Sequence, residues 1–481
     1  PMFAQMERGI VGDARYIGRY IQNWGINTAN DAVERHGYLR NSDAMGEIWR
    51  QAYYGIGKNV DLMIADAEKE EKWEYVGAGL AIRAWCWQTA TDYHGEIIIK
   101  QAFEPNRFVF DYDTQETAYE EVRRLCNLAL EYFDKTEGKL GNAALYPSAD
   151  LVYGGNIAKW KRFVYGILAR NAHNLTNKSS YNAQAVIDFV NSSLLSNSDN
   201  FIIPHPSGTT TQDNSNGYGP QKVPSPYPSL SGAYIQGNMI ARLMNGDVFG
   251  GVVDPRAAIM LVPSPDGQYR GVRPAQADPN RNSSTSIINA TEIPNIYGIK
   301  SGVTPAVGTG RFIFRDNVGF LVMSFAEMMF IKAEAALRKN DAGTAYNAFI
   351  AGITAHMDYI GVTATARNTY LASAAVPQTA GALTLRDIML QKYIAMWGVG
   401  ILETWVDMRR YNYDTTVYSR YTLLPDPSYS NGTLFEDNGG KLAYRVRPRY
   451  NSEYVWNLES LKKIGGDKID YHTVKPWFML P

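Results

Sequence analysis

The sequence predicts a mainly helical protein: a scaffold of paired helices carrying a large irregular, loop-rich lobe, with little β-structure. Three observations support this. Segments within 46–195 and 324–411 repeat apolar residues three and four positions apart, the period of one helix face. Between them, 204–232 and 263–310 are crowded with Pro, Gly, Ser and Asn, residues that punctuate regular structure. Those stretches nevertheless keep Tyr218, Tyr227, Tyr234, Tyr269, Tyr297 and Phe312 in or beside them. Disordered segments are poor in aromatics, so ordered functional loops are expected.

The chain opens on Pro1-Met2-Phe3-Ala4 without a secretory leader pattern, and an amphipathic pattern starts almost at once. It reads as a truncated or processed form whose original N-terminus is missing. In 46–68, Trp49, Tyr53, Ile56, Val60 and Met63 mark one helical face. Segment 73–93 is apolar nearly all round, so its helix should be buried on more than one side. Asp113, with Glu116 three residues on, is expected to start the next helix, 114–134, whose face is Tyr119, Val122, Cys126, Ala129 and Phe133. Trp160, Val164, Ile167 and Leu168 mark a helix in 155–174, and Ser180 is a plausible N-cap for a weaker one at 181–195.

Helices return at 324. Ser324 and Glu327 have the spacing of a capping box, in which each side chain bonds the other's backbone N–H. Phe325, Met328, Met329, Ala333, Ala336 and Leu337 form the buried face that follows. Asn340-Asp341 ends this helix and caps the next, 342–357. Another helix covers 384–397, Gly398-Val399-Gly400 breaks it, and a short one covers 401–411. The expected division is a helical scaffold at 1–195, an irregular ligand-binding lobe at 196–323, scaffold again at 324–411, and a loop-rich closing segment at 412–481 packed on the lobe.

Composition removes several functions. With 47 Lys plus Arg against 48 Asp plus Glu, the formal net charge is −1, without the cation surplus a nucleic-acid binder needs. No apolar run is long enough for a membrane-spanning helix. Two cysteines, Cys86 and Cys126, exclude a disulfide framework and sit on apolar faces as core residues. The six histidines show no close ligand spacing. Asp111-Tyr112-Asp113-Thr114-Gln115-Glu116 lacks the glycine and distant glutamate of a calcium loop. Asp92 and Glu96 flank a turn, yet sequence cannot establish the separation a glycosidase pair requires. No nucleophile–base set, metal site or cofactor motif stands out. Trp405 with Arg409 and Asp407 with Arg410 fit a stack and an ion pair that lock a helix.

Four pieces in order resemble the SusD/RagB family. They are the helix pair from Trp49 to Asn59 and on to Thr91-Asp92-Tyr93-His94-Gly95; SFAEMMFIKAEAALRKND at 324–341; Gln391-Lys392-Tyr393 through Glu403-Thr404-Trp405-Val406-Asp407-Met408-Arg409-Arg410; and Arg445 to Tyr454. The chain departs from the family in lacking a lipidated cysteine near its start. It also has Glu96-Ile97-Ile98-Ile99 where a proline is common. The resemblance implies a tetratricopeptide-like scaffold with the irregular segments packed on one side. It implies a non-catalytic surface lipoprotein of the outer membrane, lipid-anchored in its full-length form, that captures oligosaccharides or peptides for a SusC-type TonB-dependent transporter. A helical-toroid glycoside hydrolase or lyase is the alternative from another class.

Aromatic content reaches 12%, and flat rings accept the apolar C–H faces of sugars. The ligand-binding candidates are Asp92, Tyr93 and His94 at the turn and Tyr218, Tyr227, Tyr234 and Tyr297 in the loops. The alternative role for each tyrosine is to pin its loop to the scaffold. Trp49, Trp85 and Trp160 are expected in the core.

Overall fold

The computed structural model describes residues 2–135, 149–206, 214–223, 230–282 and 287–481. Helix α1 (Met2–Tyr20) buries Met6, Ile10, Val11, Ala14 and Ile17 along one face. It leads into strand β1 (Trp24–Ile26). The expected helix at 46–68 is interrupted: one α-turn at Glu47–Arg50 passes into a π-turn at Gln51–Gly55, and α2 follows at Gly57–Lys69. The wide turn disturbs the 3–4 register that the sequence spacing implied.

Helix α3 (Trp73–His94) lies between α2 and α4 (Gln115–Asp134), which explains its apolar circumference. Two glycines let both neighbours approach. A Cβ on Gly79 would lie 2.7 Å from Ile64 of α2, and one on Gly77 would lie 2.7 Å from Phe133 of α4. The stack continues through α5 (Ile157–His173) and α6 (Ala183–Ser192).

Two N-caps differ from expectation. Thr114, not Asp113, caps α4 by accepting from the Thr117 N–H, while the Asp113 carboxylate accepts from Ile99 and Lys100 N–H. Asn182 rather than Ser180 caps α6 through the Ala185 N–H.

The irregular segments contain strands β2 (Phe201–Ile203) and β3 (Tyr234–Gln236), helix α7 (Asn238–Met244) and strand β4 (Phe320–Met323). β1 pairs antiparallel with β3, with Trp24 opposite Gln236, and β2 pairs antiparallel with β4. These two-stranded sheets staple the loops to α1 and to the helix that follows β4. That helix, α8 (Phe325–Arg338), packs on α9 (Ala342–Ile360), which Asp341 caps as expected. Helices α10 (Ala364–Leu371), α11 (Leu385–Met396) and α12 (Ile401–Arg410) complete the scaffold.

Ser324 accepts from the Glu327 N–H at 3.1 Å, but the pair is not a capping box. The Glu327 carboxylate turns away to take the Arg170 guanidinium at 2.7 and 2.6 Å. The reciprocal box occurs instead at Thr384 and Asp387. One hydrophobic cluster runs from Met6 to Met479 and includes Trp49, Trp85, Trp160, Cys86 and Cys126. The α12 locks are present: Arg409 stacks over Trp405 at 3.8 Å, and Arg410 meets Asp407 at 2.6 Å. Arg410 also grips Glu334 of α8, fully buried, at 2.8 and 2.9 Å.

Candidate functional site

Six of the seven residues singled out in the sequence lie inside the packing; the seventh, Tyr227, falls outside the described residues. Asp92 accepts from Gln88 at 2.7 Å, from Asn174 at 3.1 Å and from the Tyr119 hydroxyl, and burial pushes its pKa up to about 6. Tyr93 is fully buried against Trp405 and His94. His94 meets the Val446 carbonyl at 3.1 Å and Trp49 edge-on, and burial pushes its pKa down to about 3. Tyr218 packs among Trp24, Phe314 and Phe320. The Tyr297 hydroxyl donates to the Tyr218 carbonyl at 3.1 Å, and Tyr234 lies on β3 near Arg19. A ring covered on both faces offers no platform. In this structure Tyr218, Tyr234 and Tyr297 pack their loops against the scaffold, and Tyr93 lies within α3.

Asp92 and Glu96 do not form an acid–base pair across a cleft. Glu96 is tied to Arg445 and to the Tyr471 hydroxyl, while Asp92 is sealed in the core. Asp111 pairs with Lys463 at 2.6 Å.

The exposed rings lie elsewhere. After α3, Gly95 adopts φ +87, and a Cβ there would lie 2.8 Å from the Arg445 guanidinium. The following loop is pinched at its base by the Ile97–Asp113 bridge. The Tyr53 hydroxyl reinforces the base, accepting from Ile98 N–H at 2.7 Å and donating to Ile98 C=O at 2.9 Å. On the outer side, Asn457 accepts from Phe110 N–H and donates to Phe110 C=O, both at 2.9 Å. Tyr112 donates to Glu453 at 2.5 Å. The loop is thus clamped to 453–463, and the clamp is flanked by rings that point outward. Phe108 is 83% exposed and Trp456 76%, with Val109 and Val455 beside them in sequence also exposed. Large apolar side chains held outward by a rigid clamp mark an interaction surface.

The same turn that leads to Trp456, Tyr450–Tyr454, also walls a cavity of about 320 Å³. Tyr450 and Tyr454 stack at 5.4 Å with 16° between planes. Arg447 lies between Tyr38 at 4.8 Å and Tyr454 at 5.4 Å. Its donors are occupied by the Tyr454 hydroxyl and the carbonyls of Lys468 and Gly466, so it fixes the rings and does not offer a free charge. Asn41 and Asp467 stand exposed on the rim. His472 in the wall has its pKa pushed down to about 4 by burial and is neutral near pH 7. Tyr450 is half-buried and, among the described residues, is stacked by a ring only on its Tyr454 side; a flat face bordered by an amide and a carboxylate suits a polyhydroxylated ring, the face taking C–H edges and the rim hydroxyls.

Neither Phe108 nor Trp456 was singled out in the sequence. Phe108-Val109-Phe110 after Pro105-Asn106 was a usable signal, because an apolar triplet in a polar turn must either pack or bind.

A family model described as "Starch-binding associating with outer membrane", SusD-like, matches residues 2–422. The chain belongs to the SusD/RagB family. Members are binding proteins without catalysis, and this chain is not an enzyme. The family is associated with the outer membrane. Among solved structures, the chain is similar to a chitin-binding SusD homolog from Flavobacterium johnsoniae, with 20% identity, 100% of this chain and 95% of that one covered, and a TM-score of 0.69. It is similar to a SusD/RagB family protein from Bacteroides thetaiotaomicron, with 19% identity, 99% and 98% covered, and a TM-score of 0.66. A SusD homolog from Bacteroides uniformis gives 19% identity, 100% and 99% covered, and 0.69. These likenesses establish the fold. No curated protein matches the chain. No helix among the described residues is long and apolar enough to cross a membrane.

Proposed function

We propose that this SusD-family protein captures glycan oligomers at the cell surface and delivers them to a SusC-type TonB-dependent transporter, held to the outer membrane by a lipid on the full-length form. The observation that carries the cargo class is the clamped aromatic surface: Phe108 and Trp456 exposed on one edge, with the Tyr450–Tyr454 stack in the adjoining cavity. Glycan binding needs ring faces and scattered hydroxyl partners. Peptide capture by strand addition would need an open sheet edge. The described strands are three or four residues long and almost wholly buried, and each is paired. Glycan cargo is therefore favoured over peptide. Two of the similar structures are of chitin-binding proteins and the family is described as starch-binding, so chitin and starch oligomers are the first candidates.

Titration calorimetry with chito- and malto-oligosaccharides tests the reading, with the ligand recovered afterwards for mass analysis. Saturable binding of one glycan series, recovered chemically intact, is the expected result. Binding of peptides but of no glycan would sink the cargo assignment, and protein-dependent cleavage would sink the capture mechanism.

A further inference from the structure

A second cavity, about 1130 Å³, lies across the 39–44 loop from the aromatic one; Leu39, Ser42 and Ala44 border both. Its volume lies just above the ~300–1,000 Å³ range of small-molecule sites. Its chemistry is different. Val11, Met63, Ile82 and Ile203 line it with aliphatic surface, and Phe3, Tyr75 and Trp160 add apolar ring surface, a mixed apolar wall along which an alkyl chain can lie.

The charges in its wall are unevenly satisfied. Glu7 is held by His205 at 2.9 Å and by the Gly217 N–H at 2.5 Å. Glu47 pairs with Arg8 at 3.4 Å and with Arg50 at 3.6 Å, and Asp43 is taken by Arg449. Arg15 differs. Its Nε donates to the Gly12 carbonyl at 2.8 Å and its guanidinium rests on Tyr16 at 4.9 Å. Its two terminal amino groups meet no acceptor among the described residues. The stack and the Nε bond fix the fork and leave the pair of donors that a carboxylate takes bidentately.

We infer that this cavity is a second binding site, for a single-chain amphiphile with a carboxylate head, such as a free fatty acid, the head on Arg15 and the chain along the apolar wall. The occupant follows from charge complementarity: among the described residues the wall's carboxylates are all held, Glu7, Glu47 and Asp43 by basic side chains and Asp150 by the Trp160 indole N–H and backbone N–H groups, while the terminal amino groups of Arg15 face no acceptor. The site is separate from the glycan surface, so the two readings succeed or fail independently.

The test is equilibrium titration of the full chain with octanoate, decanoate and dodecanoate below their aggregation concentrations, with glycan binding measured in parallel. Affinity should rise up to ~4-fold per added methylene that is buried. Arg15→Gln should weaken dodecanoate about tenfold while leaving dodecanol binding unchanged. Ala4→Trp, at an exposed position on α1 that borders the cavity, should block both without altering the melting temperature. Neither variant should change glycan affinity. Absence of saturable dodecanoate binding overturns the inference. So does binding that is indifferent to chain length and to both variants, or binding only to anionic lipid vesicles.

Discussion

Removing the outward rings should weaken capture without weakening the fold. Trp456→Ala and Phe108→Ala are the informative changes, because each side chain contributes little to the core: 76% and 83% of their surface is already in water. A sugar ring laid on one indole face would cover about 60 Å² of apolar surface, worth ~1.5 kcal/mol at ~25 cal/mol/Å². Stacking adds ~0.5–1.5 kcal/mol beyond area. The loss for Trp456→Ala is thus about 2–3 kcal/mol, a ~30–150-fold weaker Kd. Phe108→Ala should cost somewhat less. The two lie on either side of the Asn457–Phe110 clamp, so a ligand spanning both should show losses that add to within about 0.5 kcal/mol. Calorimetry gives the affinities, and thermal melting of each variant should stay within about 1 °C of the parent, because exposed substitutions away from special features change stability little. Unchanged glycan affinity in both single variants and in the double variant would refute the aromatic-edge reasoning. A large fall in melting temperature would show that the rings are structural.

The remaining expectations concern the scaffold and the partner. Glu334→Gln leaves Arg410 partly uncompensated in the core and should cost ~3–5 kcal/mol in denaturant unfolding; a change under about 1 kcal/mol would show the network to be dispensable. Burial works to raise the Glu334 pKa, but the Arg410 guanidinium outweighs it and holds the group well below the carboxylate range, so its stabilisation is present above the unfolded pKa and is lost as pH falls through the folded value. Ser324→Ala should cost about 1 kcal/mol, the usual value of a single N-cap bond, with glycan affinity unchanged. His205 faces two acceptors, the Glu7 carboxylate at 2.9 Å and the Asn214 carbonyl at 3.0 Å, so the bonded form carries both N–H groups; burial opposes this charge most strongly, but Glu7 outweighs it and the pKa is raised. Its contribution should be complete below the unfolded histidine value and lost as pH rises through the folded one, and Glu7→Gln should flatten that part of the melting-temperature profile. With a net charge of −1, long-range steering is weak, so co-purification with the transporter from mild detergent should survive added salt; repeated recovery of the protein alone would count against the delivery role.

The helices were legible because their signal is local. The spacing of Tyr119, Val122, Cys126, Ala129 and Phe133 returns as the buried face of α4, and the apolar circumference of 73–93 returns as a helix enclosed by two neighbours. Asp341 as a cap, and Trp405 with Arg409 as a stack, are likewise relations within a few residues. Relations between distant segments were not legible. Ser324 and Glu327 have capping-box spacing, yet Glu327 is claimed by Arg170, 157 positions away, because two charge-assisted bonds in the core outweigh one backbone N–H. Asp113 yields the cap to Thr114 because its carboxylate closes the base of the 96–113 loop. Burial divides the aromatics in the same way. Tyr218 and Trp456 both sit in irregular, polar stretches of sequence. One is enclosed by Trp24, Phe314 and Phe320, and the other is turned outward by a clamp between Asn457 and Phe110. Periodicity fixes which face of a helix is apolar, since neighbours three and four residues apart share that face. Whether a loop ring is covered depends on which remote segments meet there, and only the tertiary structure decides that.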